Sequence, residues 1–440
     1  MGKTYLLGEY SEKYLKKLKG EERYGTTGVL LGQATSSKTY IIFAARTPLK
    51  DQAELPPDKP DEMNASDIEW MAEHARQVSR MLPGGILVLG IFLIRPAKMS
   101  KEEAQDIFRK LTNAVESAVA KERLWNFAED EPPERIVLQV YADSKKMKLR
   151  TFDIHNPQTP PKLLDYKSNS LTSAWQLVEA TINVDIHIPV AATAENQLEK
   201  NSLKGLNIWA KQMMQSNYLI GGYYKDAESI IGEGSKKKTP VEIQFLTSPP
   251  EINPDDTVAV IESCGSGIYV KGTVRCRAYL HGSKAKVKDA IQSLKRDVLN
   301  TVYVRCEMVC EDRIVNKGGD AGDSATHRAP HRVFASTLPS GVAFCDYGFS
   351  DEGSKDLEER YKELLDYDLH PAQLERVEET MLEEMGVSPT KEPELKLFEE
   401  DEVEVIAETG FKYTGMAAAA GVGVIAIAVS VIVYFIAGSV

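Results

Sequence analysis

Short apolar runs and amphipathic stretches alternate through the first 156 residues. The runs at 28–33, 40–45 and 86–94 are rich in β-branched and aromatic residues and predict strands, the last of them covered on both faces. Between the second and third runs, apolar residues recur at three- and four-residue steps and predict a helix: Ile68, Met71, Ala75, Val78 and Leu82. Other predicted elements are helices at 9–19 and 100–125 and strands at 135–141 and 146–154. This alternation predicts an α/β domain over residues 1–156.

A second set of elements follows a proline-containing stretch at 157–170. Residues 175–190 alternate, with Asn183, Asp185 and His187 on one face and isoleucine and valine on the other, as expected for one long strand or a strand pair. Further strands are predicted at 241–246, 258–262, 267–280, 331–336 and 342–347, and helices at 198–217 and 284–303. Together they predict an α+β domain over residues 171–350.

The C-terminus contains a long uncharged stretch. The 21 residues from Met416 to Ile436 carry no charge, and as a helix rising about 1.5 Å per residue they would span roughly 31 Å, which matches the hydrocarbon core of a bilayer. They predict a single transmembrane helix over 416–437, in which Gly421 and Gly423 belong to a small-residue spacing that can seat a second helix closely. A lysine precedes this helix and no cation follows it, which places the body in the cytosol. Because only four residues follow Ile436, the segment predicts a tail anchor that is inserted after translation.

Acidic residues are concentrated in one segment. Residues 351–413 hold 21 acidic and 7 basic residues, so the net charge of −12 leaves the rest of the chain with a balance of +2. The segment predicts an acidic stalk whose first half is helical through Leu357, Tyr361, Leu364 and Leu365. The nearly neutral body gives no support to nucleic-acid binding, so we expect no nucleic-acid partner.

Residues with catalytic or metal-binding potential are scattered. The five cysteines all follow position 263 and include no C-x-x-C pair, which suits a reducing compartment and argues against a zinc ribbon. His327 and His331 are four residues apart in a Gly- and Pro-rich stretch, where a helical metal pair does not form. The sequence contains no phosphate-binding loop, no H-E-x-x-H and no G-x-S-x-G motif, and we expect no cofactor. Cys345 beside Asp346 is a candidate nucleophile, with a buried strand residue as the alternative interpretation.

The N-terminal order of strands and helices, with the motif G-I-F-L-I-R-P at 90–96, resembles the MPN domain of JAMM-type deubiquitinating metalloenzymes. In active members, histidines occupy the positions of Leu93 and Arg95, and a serine occupies that of Glu103; Asp106 alone agrees. Catalytic zinc needs three protein ligands, which one carboxylate beside an arginine does not supply. The resemblance implies a metal-free MPN-like domain, and inactive MPN domains commonly act by pairing with another MPN domain.

Sequence motifs along the whole chain resemble the odorant response abnormal protein 4 family. The matching stretches lie at 74–75, 77–85, 88–92, 123–125, 184–189, 209–212, 286–290, 295–297, 299–302 and 345–347. The resemblance implies a non-enzymatic membrane protein of the endoplasmic reticulum. Members assist delivery of some G-protein-coupled receptors to cilia or the cell surface, and they hold the second ubiquitin-fold-modifier-specific protease at that membrane.

Two classes of function therefore compete. The first is a tail-anchored adaptor whose cytosolic body docks a partner, with residues 1–155 as the expected surface for the protease. The second is a membrane-bound cysteine hydrolase that uses Cys345. The absence of metal ligands and nucleophile motifs, together with the family resemblance, favours the adaptor.

Overall fold

The computed structural model describes residues 3–18, 25–50, 63, 65–95, 100–121, 133–156, 159–171, 175–191, 198–232, 239–248, 264–282, 284–316, 329–336 and 340–378. They belong to one compact unit, Met1–Met381. Among these described residues, no helix combines the length and the apolar character that a membrane span requires. The residues predicted to form the anchor, including Met416, Gly421, Gly423 and Ile436, lie outside the described part of the chain.

The first eight strands form one closed sheet. They are β1 (Thr4–Gly8), β2 (Thr26–Ala34), β3 (Lys38–Arg46), β4 (Leu87–Arg95), β5 (Glu134–Tyr141), β6 (Met147–Asp153), β7 (Lys162–Leu164) and β8 (Tyr166–Asn169). Their order in the sheet is β7-β6-β5-β4-β2-β3-β1-β8. β7 pairs with β6 and β8 pairs with β1, yet only Asp165 separates β7 from β8 in sequence. One continuous segment thus joins both edges, and the sheet closes into a barrel.

Two glycines allow the barrel strands to approach each other closely. A side chain at Gly32 would place its Cβ 1.8 Å from the Tyr40 carbonyl oxygen, and one at Gly90 would place it 1.8 Å from the Ile136 carbonyl oxygen. The pairing of β2 with β3 also shifts register between Leu31 and Gly32. Such bulges bend the strands, as closure of the sheet requires.

Apolar side chains cover both faces of the barrel sheet. The helices in this part are α1 (Glu9–Lys17), α2 (Ala65–Arg80) and α3 (Lys101–Lys121). Leu30 and Phe92 line one face of the sheet together with Leu15 of α1. α2 and α3 pack on the other face, and Met71 and Val78 of α2 are buried there, as the sequence periodicity predicts.

A four-stranded sheet with two helices follows the barrel. Its elements are β9 (Trp175–Ala191), α4 (Leu198–Gln215), β10 (Asn217–Ile220), β11 (Val241–Leu246), β12 (Cys264–His281) and α5 (Val287–Asn316). The strand order is β10-β11-β9-β12, and β9 pairs with β12 along its whole length. β9 is therefore one long strand, with Asp185 and His187 exposed and Val184 and Ile186 buried, in agreement with the predicted alternation. The predicted strand at 258–262 lies outside the described residues.

α5 is longer than the predicted helix at 284–303. The sequence from Val287 to Asn316 contains no glycine or proline, and the first glycines follow at Gly318 and Gly319. Beyond Tyr303 most of the described side chains are half-buried, and these form no clean apolar stripe. The apolar periodicity of the sequence therefore ends before α5 does.

The last described elements form a small sheet and one helix. They are β13 (His331–Ser336), β14 (Ala343–Gly348), α6 (Ser354–Leu365) and β15 (Leu374–Glu375). α6 buries Leu357, Tyr361 and Leu365, and β15 pairs with β13. The segment 351–413, predicted as an acidic stalk, thus begins with residues that pack into the folded body as far as position 378. The remainder of the segment lies outside the described residues.

The structure is a mixed α/β architecture with three sheets and six helices within the described residues. One apolar cluster draws on the barrel, on β12 and on the small sheet together. Within it, the rings of Phe43 and Phe344 meet edge to face at 5.4 Å. The predicted division into domains 1–156 and 171–350 stays a prediction.

Candidate functional site

Two of the positions that correspond to an MPN metal site, Leu93 and Asp106, hold side chains with other contacts. Leu93 lies in β4, fully buried, with its backbone paired to both β2 and β5. Arg95 is the last residue of β4. Asp106 is exposed on α3 and pairs with Lys110 at 2.8 Å. Within the described residues, no group of three or more His, Cys, Asp or Glu side chains could hold a metal ion.

Cys345 lies on β14 and is fully buried against the end of α2. Its N–H donates to the Met81 carbonyl oxygen at 2.9 Å, and its thiol donates to the same oxygen at 3.4 Å. Burial raises the pKa of the thiol to about 11. A nucleophilic cysteine needs an accessible thiolate, so Cys345 has the properties of a core residue. The hydrolase hypothesis therefore loses its nucleophile.

Several of the family motifs meet at one place in the fold. The turn at 83–85 follows α2 and lies against β12 and α5. The Gly84 N–H donates to the Arg277 carbonyl oxygen at 2.9 Å and to Asp297 Oδ1 at 3.0 Å. A side chain at Gly84 would place its Cβ 2.3 Å from the Ser293 carbonyl oxygen of α5. Only glycine allows the backbone of this turn to approach α5 so closely.

Asp297 of α5 and Arg332 of β13 form a buried ion pair beside that turn. The guanidinium donates to both carboxylate oxygens, at 2.7 and 2.8 Å, and the side chains are 1% exposed for Arg332 and 0% for Asp297. Asp297 Oδ2 also accepts from the Arg277 N–H at 2.9 Å. Burial alone would lower the pKa of Arg332, but the Asp297 carboxylate outweighs burial and raises it. With the Gly84 N–H, four donors occupy the acceptor sites of this carboxylate.

A second layer of charges continues from this pair toward the surface. Arg277 donates to Glu179 at 2.8 Å and to both oxygens of Glu375 at 2.7 and 2.8 Å. These hydrogen bonds lower the pKa of Glu375. Glu378 accepts from the Arg305 guanidinium at 2.7 Å and is itself almost fully buried. The two glutamates belong to the segment that was predicted to be a stalk.

We call this cluster the charged junction: Gly84, Glu179, Arg277, Asp297, Arg305, Arg332, Glu375 and Glu378. It joins the end of α2 to β9, β12, α5, β13 and the start of the acidic segment. Because its charges pair with one another, the junction fixes the relative positions of these elements. A buried pair of this kind leaves a large penalty when one partner is removed. Its chemistry is that of a structural support.

Sequence reasoning found one part of the junction and missed the rest. Gly84 and Asp297 lie in family motifs. Arg277 and Arg332 lie in strands that are predicted from their apolar residues, so neither arginine is singled out. A charged residue inside such a strand is itself a signal, because buried charges require partners. The partner Glu375 could not be assigned, since it lies about a hundred residues away in an acidic stretch.

A second buried polar contact links α2 to α6. His74 is buried, its Nε2–H donates to the Leu364 carbonyl oxygen at 2.8 Å, and its Nδ1 lies 3.4 Å from the Thr47 hydroxyl. A carbonyl can only accept, so Nε2 of His74 carries a proton. Burial lowers the pKa of His74 to about 4. The neutral imidazole therefore links the start of the acidic segment to the body through a hydrogen bond.

Comparison with known proteins gives a consistent result. Residues 28–376 match the family model described as odorant response abnormal 4-like. Protein odr-4 homolog from Homo sapiens is 40% identical over 394 residues, which cover 86% of this chain and 87% of that protein. The Mus musculus protein of the same name is 36% identical and covers 98% of this chain and 99% of its own length. Odorant response abnormal protein 4 from Caenorhabditis elegans is 22% identical over 77% of this chain and 71% of its own length.

Among solved structures, UfSP from C. elegans is similar with a TM-score of 0.43 and 10% sequence identity. The similarity covers 83% of this chain and 57% of that one. A TM-score at this level carries no argument about a shared fold or function. The family description and the names of the three relatives refer to no enzyme class.

Proposed function

Because the chain belongs to the odorant response abnormal 4-like family, we propose that it is a non-enzymatic adaptor of the endoplasmic reticulum membrane. Residues 416–437 anchor it through a single C-terminal helix, and the body lies in the cytosol. There it holds the second ubiquitin-fold-modifier-specific protease and assists the delivery of a subset of G-protein-coupled receptors.

The charged junction is the observation on which the adaptor proposal rests. Residues of the family motifs at 83–85 and 295–297 are used to fasten one element of the body to another. Catalysis would need a nucleophile or a general base that can reach a substrate. Cys345, the one candidate nucleophile from the sequence, is buried with a raised pKa. Such a body is suited to presenting a fixed surface to a partner.

The N-terminal barrel is the proposed surface for the protease. Among the described residues up to 155, the large apolar side chains that are exposed are Tyr10 and Leu49. Leu49 is 59% exposed, and Tyr10 stacks on Phe43 with ring centroids 6.0 Å apart. Apolar and aromatic residues of this kind form the centre of protein interfaces, with charged residues at the rim.

Co-expression of the full-length chain with the protease tests this assignment. Leu49→Asp should weaken copurification by more than about tenfold, because it leaves an unpaired charge in a dry interface. Leu246→Asp is the matched control, since Leu246 is 49% exposed but lies on the four-stranded sheet. If Leu246→Asp abolishes copurification and Leu49→Asp leaves it unchanged, the protease binds elsewhere than the barrel.

Membrane fractionation tests the anchor separately. Truncation after Gly415 removes the 21 uncharged residues and should release the chain from membranes under alkaline extraction. Retention of the truncated chain would contradict a single C-terminal anchor. Receptor delivery is tested in cells that lack the protein: the full chain should restore surface receptor, and the truncated chain should not.

A further inference from the structure

The outer face of α4 carries an unusual set of side chains. Those of its described residues that are exposed are Lys200, Leu203, Lys204, Ile208, Lys211 and Gln215. They include three lysines and two large aliphatic residues but no acidic residue. The lysines make no ion pair with any residue that the structure describes. The outer face of α4 is therefore both basic and apolar.

Packing in the core explains the apolar residues on the inner face of α4 but not those on its outer face. Leu206, Ala210 and Met213 are buried in the core of the four-stranded sheet. Leu203 and Ile208 point away from this core and are 39% and 59% exposed. Large aliphatic residues that accompany lysines on one helix face are typical of helices that lie on membrane surfaces.

Other helices of the body have mixed charges on their exposed faces. On α1, Lys16 pairs with Glu12, and on α3, Lys110 pairs with Asp106. Both pairs are four residues apart and neutralise the local surface. The described side chains of α4 contain no such pair, and those that are exposed carry three positive charges and no negative one. A surface with this charge is complementary to an anionic one.

We propose that the outer face of α4 rests on the anionic cytosolic surface of the bilayer in which the chain is anchored. The lysines contact lipid phosphates, and Leu203 and Ile208 enter the boundary between headgroups and acyl chains. This inference rests on the proposed membrane anchor. It adds a second contact, which holds the body in one orientation relative to the membrane.

The magnitude of this contact suits an anchored chain. Three lysines near an anionic surface together strengthen the contact on the order of 100-fold. That is too weak to recruit a free protein from dilute solution. An anchor raises the effective concentration of the second contact to the millimolar range, where such a weak attraction is sufficient.

The test uses the full-length chain in vesicles and a tryptophan placed on the outer face of α4 by Ile208→Trp, because Trp209 itself packs against the core of the four-stranded sheet. Bromine-labelled lipids quench a tryptophan that they approach. The signal of this tryptophan is the difference between the Ile208→Trp variant and the unchanged chain. We expect quenching in phosphatidylcholine vesicles that contain about one quarter phosphatidylserine, and little in phosphatidylcholine alone, because the attraction is electrostatic.

Two sets of lysine substitutions separate the α4 face from the general charge of the body. Lys200→Gln, Lys204→Gln and Lys211→Gln together should weaken the contact on the order of 100-fold, which is the loss of three lysine contributions. Lys13→Gln, Lys17→Gln and Lys146→Gln remove the same charge from exposed positions on the barrel and should leave the quenching unchanged. Equal loss with both sets would overturn the proposal.

The remaining outcomes distinguish this inference from the anchor itself. If the chain inserts and resists alkaline extraction but the tryptophan at position 208 is quenched equally in anionic and neutral vesicles, the α4 contact is wrong and the anchor stands. If the chain does not insert, both are wrong. If the α4 lysine substitutions abolish capture of the protease and leave the quenching unchanged, the face binds a protein rather than lipid, and the proposal is overturned.

Discussion

Protonation of His74 should loosen the contact between α2 and α6. The imidazole is buried and neutral, with its Nε2–H donating to the Leu364 carbonyl oxygen at 2.8 Å. Its pKa is lowered from 6.5 to about 4 by burial. Because the folded pKa lies below the unfolded one, the unfolded chain binds the proton first as the pH falls. Stability that is fully present above pH 6.5 is therefore lost progressively as the pH falls toward 4.

The size of the effect follows from the two pKa values. The full gap corresponds to roughly 3 kcal/mol, and the part already lost at pH 5 is about 2 kcal/mol. The carboxylates of the chain also titrate in this pH range. The effect of His74 must therefore be measured against a variant that lacks only the imidazole. His74→Gln suits this purpose, because its amide can donate to the same carbonyl and does not titrate.

Urea unfolding at about pH 7.5 and about pH 5, followed by circular dichroism, measures the effect. The wild-type chain should lose about 2 kcal/mol more than His74→Gln between these two pH values. His155→Gln is the control, since His155 is exposed, and it should behave as the wild type. Equal losses for the wild type and His74→Gln would refute the reasoning. They would mean that protonation of the imidazole does not contribute to the loss of stability.

Two further predictions concern the charged junction. Arg332→Met should lower the free energy of unfolding by about 3–5 kcal/mol, because Asp297 stays buried without its partner. Combining it with Asp297→Asn should restore part of the loss, because the amide removes the unpaired charge and keeps an acceptor for the backbone N–H groups; urea unfolding of the single and double variants measures both. Gly84→Ala should lower the free energy of unfolding by about 1–3 kcal/mol, because its Cβ would lie 2.3 Å from a backbone oxygen. Gly348→Ala should lower it less, because the Cβ there would meet ordinary contacts at 3.7 Å. Equal thermal stability of the two alanine variants would contradict the close packing of the 83–85 turn.

The elements with strong periodicity could be predicted from the sequence, but the closure of the barrel could not. β9 and α2 have regular apolar alternation because one face of each is buried, and both were predicted. β7 and β8 lie in a stretch with three prolines, and most of their side chains are exposed. Their contribution is backbone pairing at two sheet edges, which leaves no apolar pattern. A closing strand can therefore look like a linker in the sequence.

The extent of the acidic segment shows why local composition misplaces the end of the body. Glu375 and Glu378 resemble their acidic neighbours in sequence, but Arg277 and Arg305 pair with them across the fold. A charge run is solvated only when its charges have no partners, and partners distant in sequence do not enter a local count. The net negative charge of a linker should therefore be counted only over the residues that follow the last glutamate paired with an arginine of the body. In this chain that glutamate is at or beyond position 378. The helical first part of the predicted stalk therefore neutralises arginines of the charged junction, whereas the flexible part after Gly386 stays a prediction.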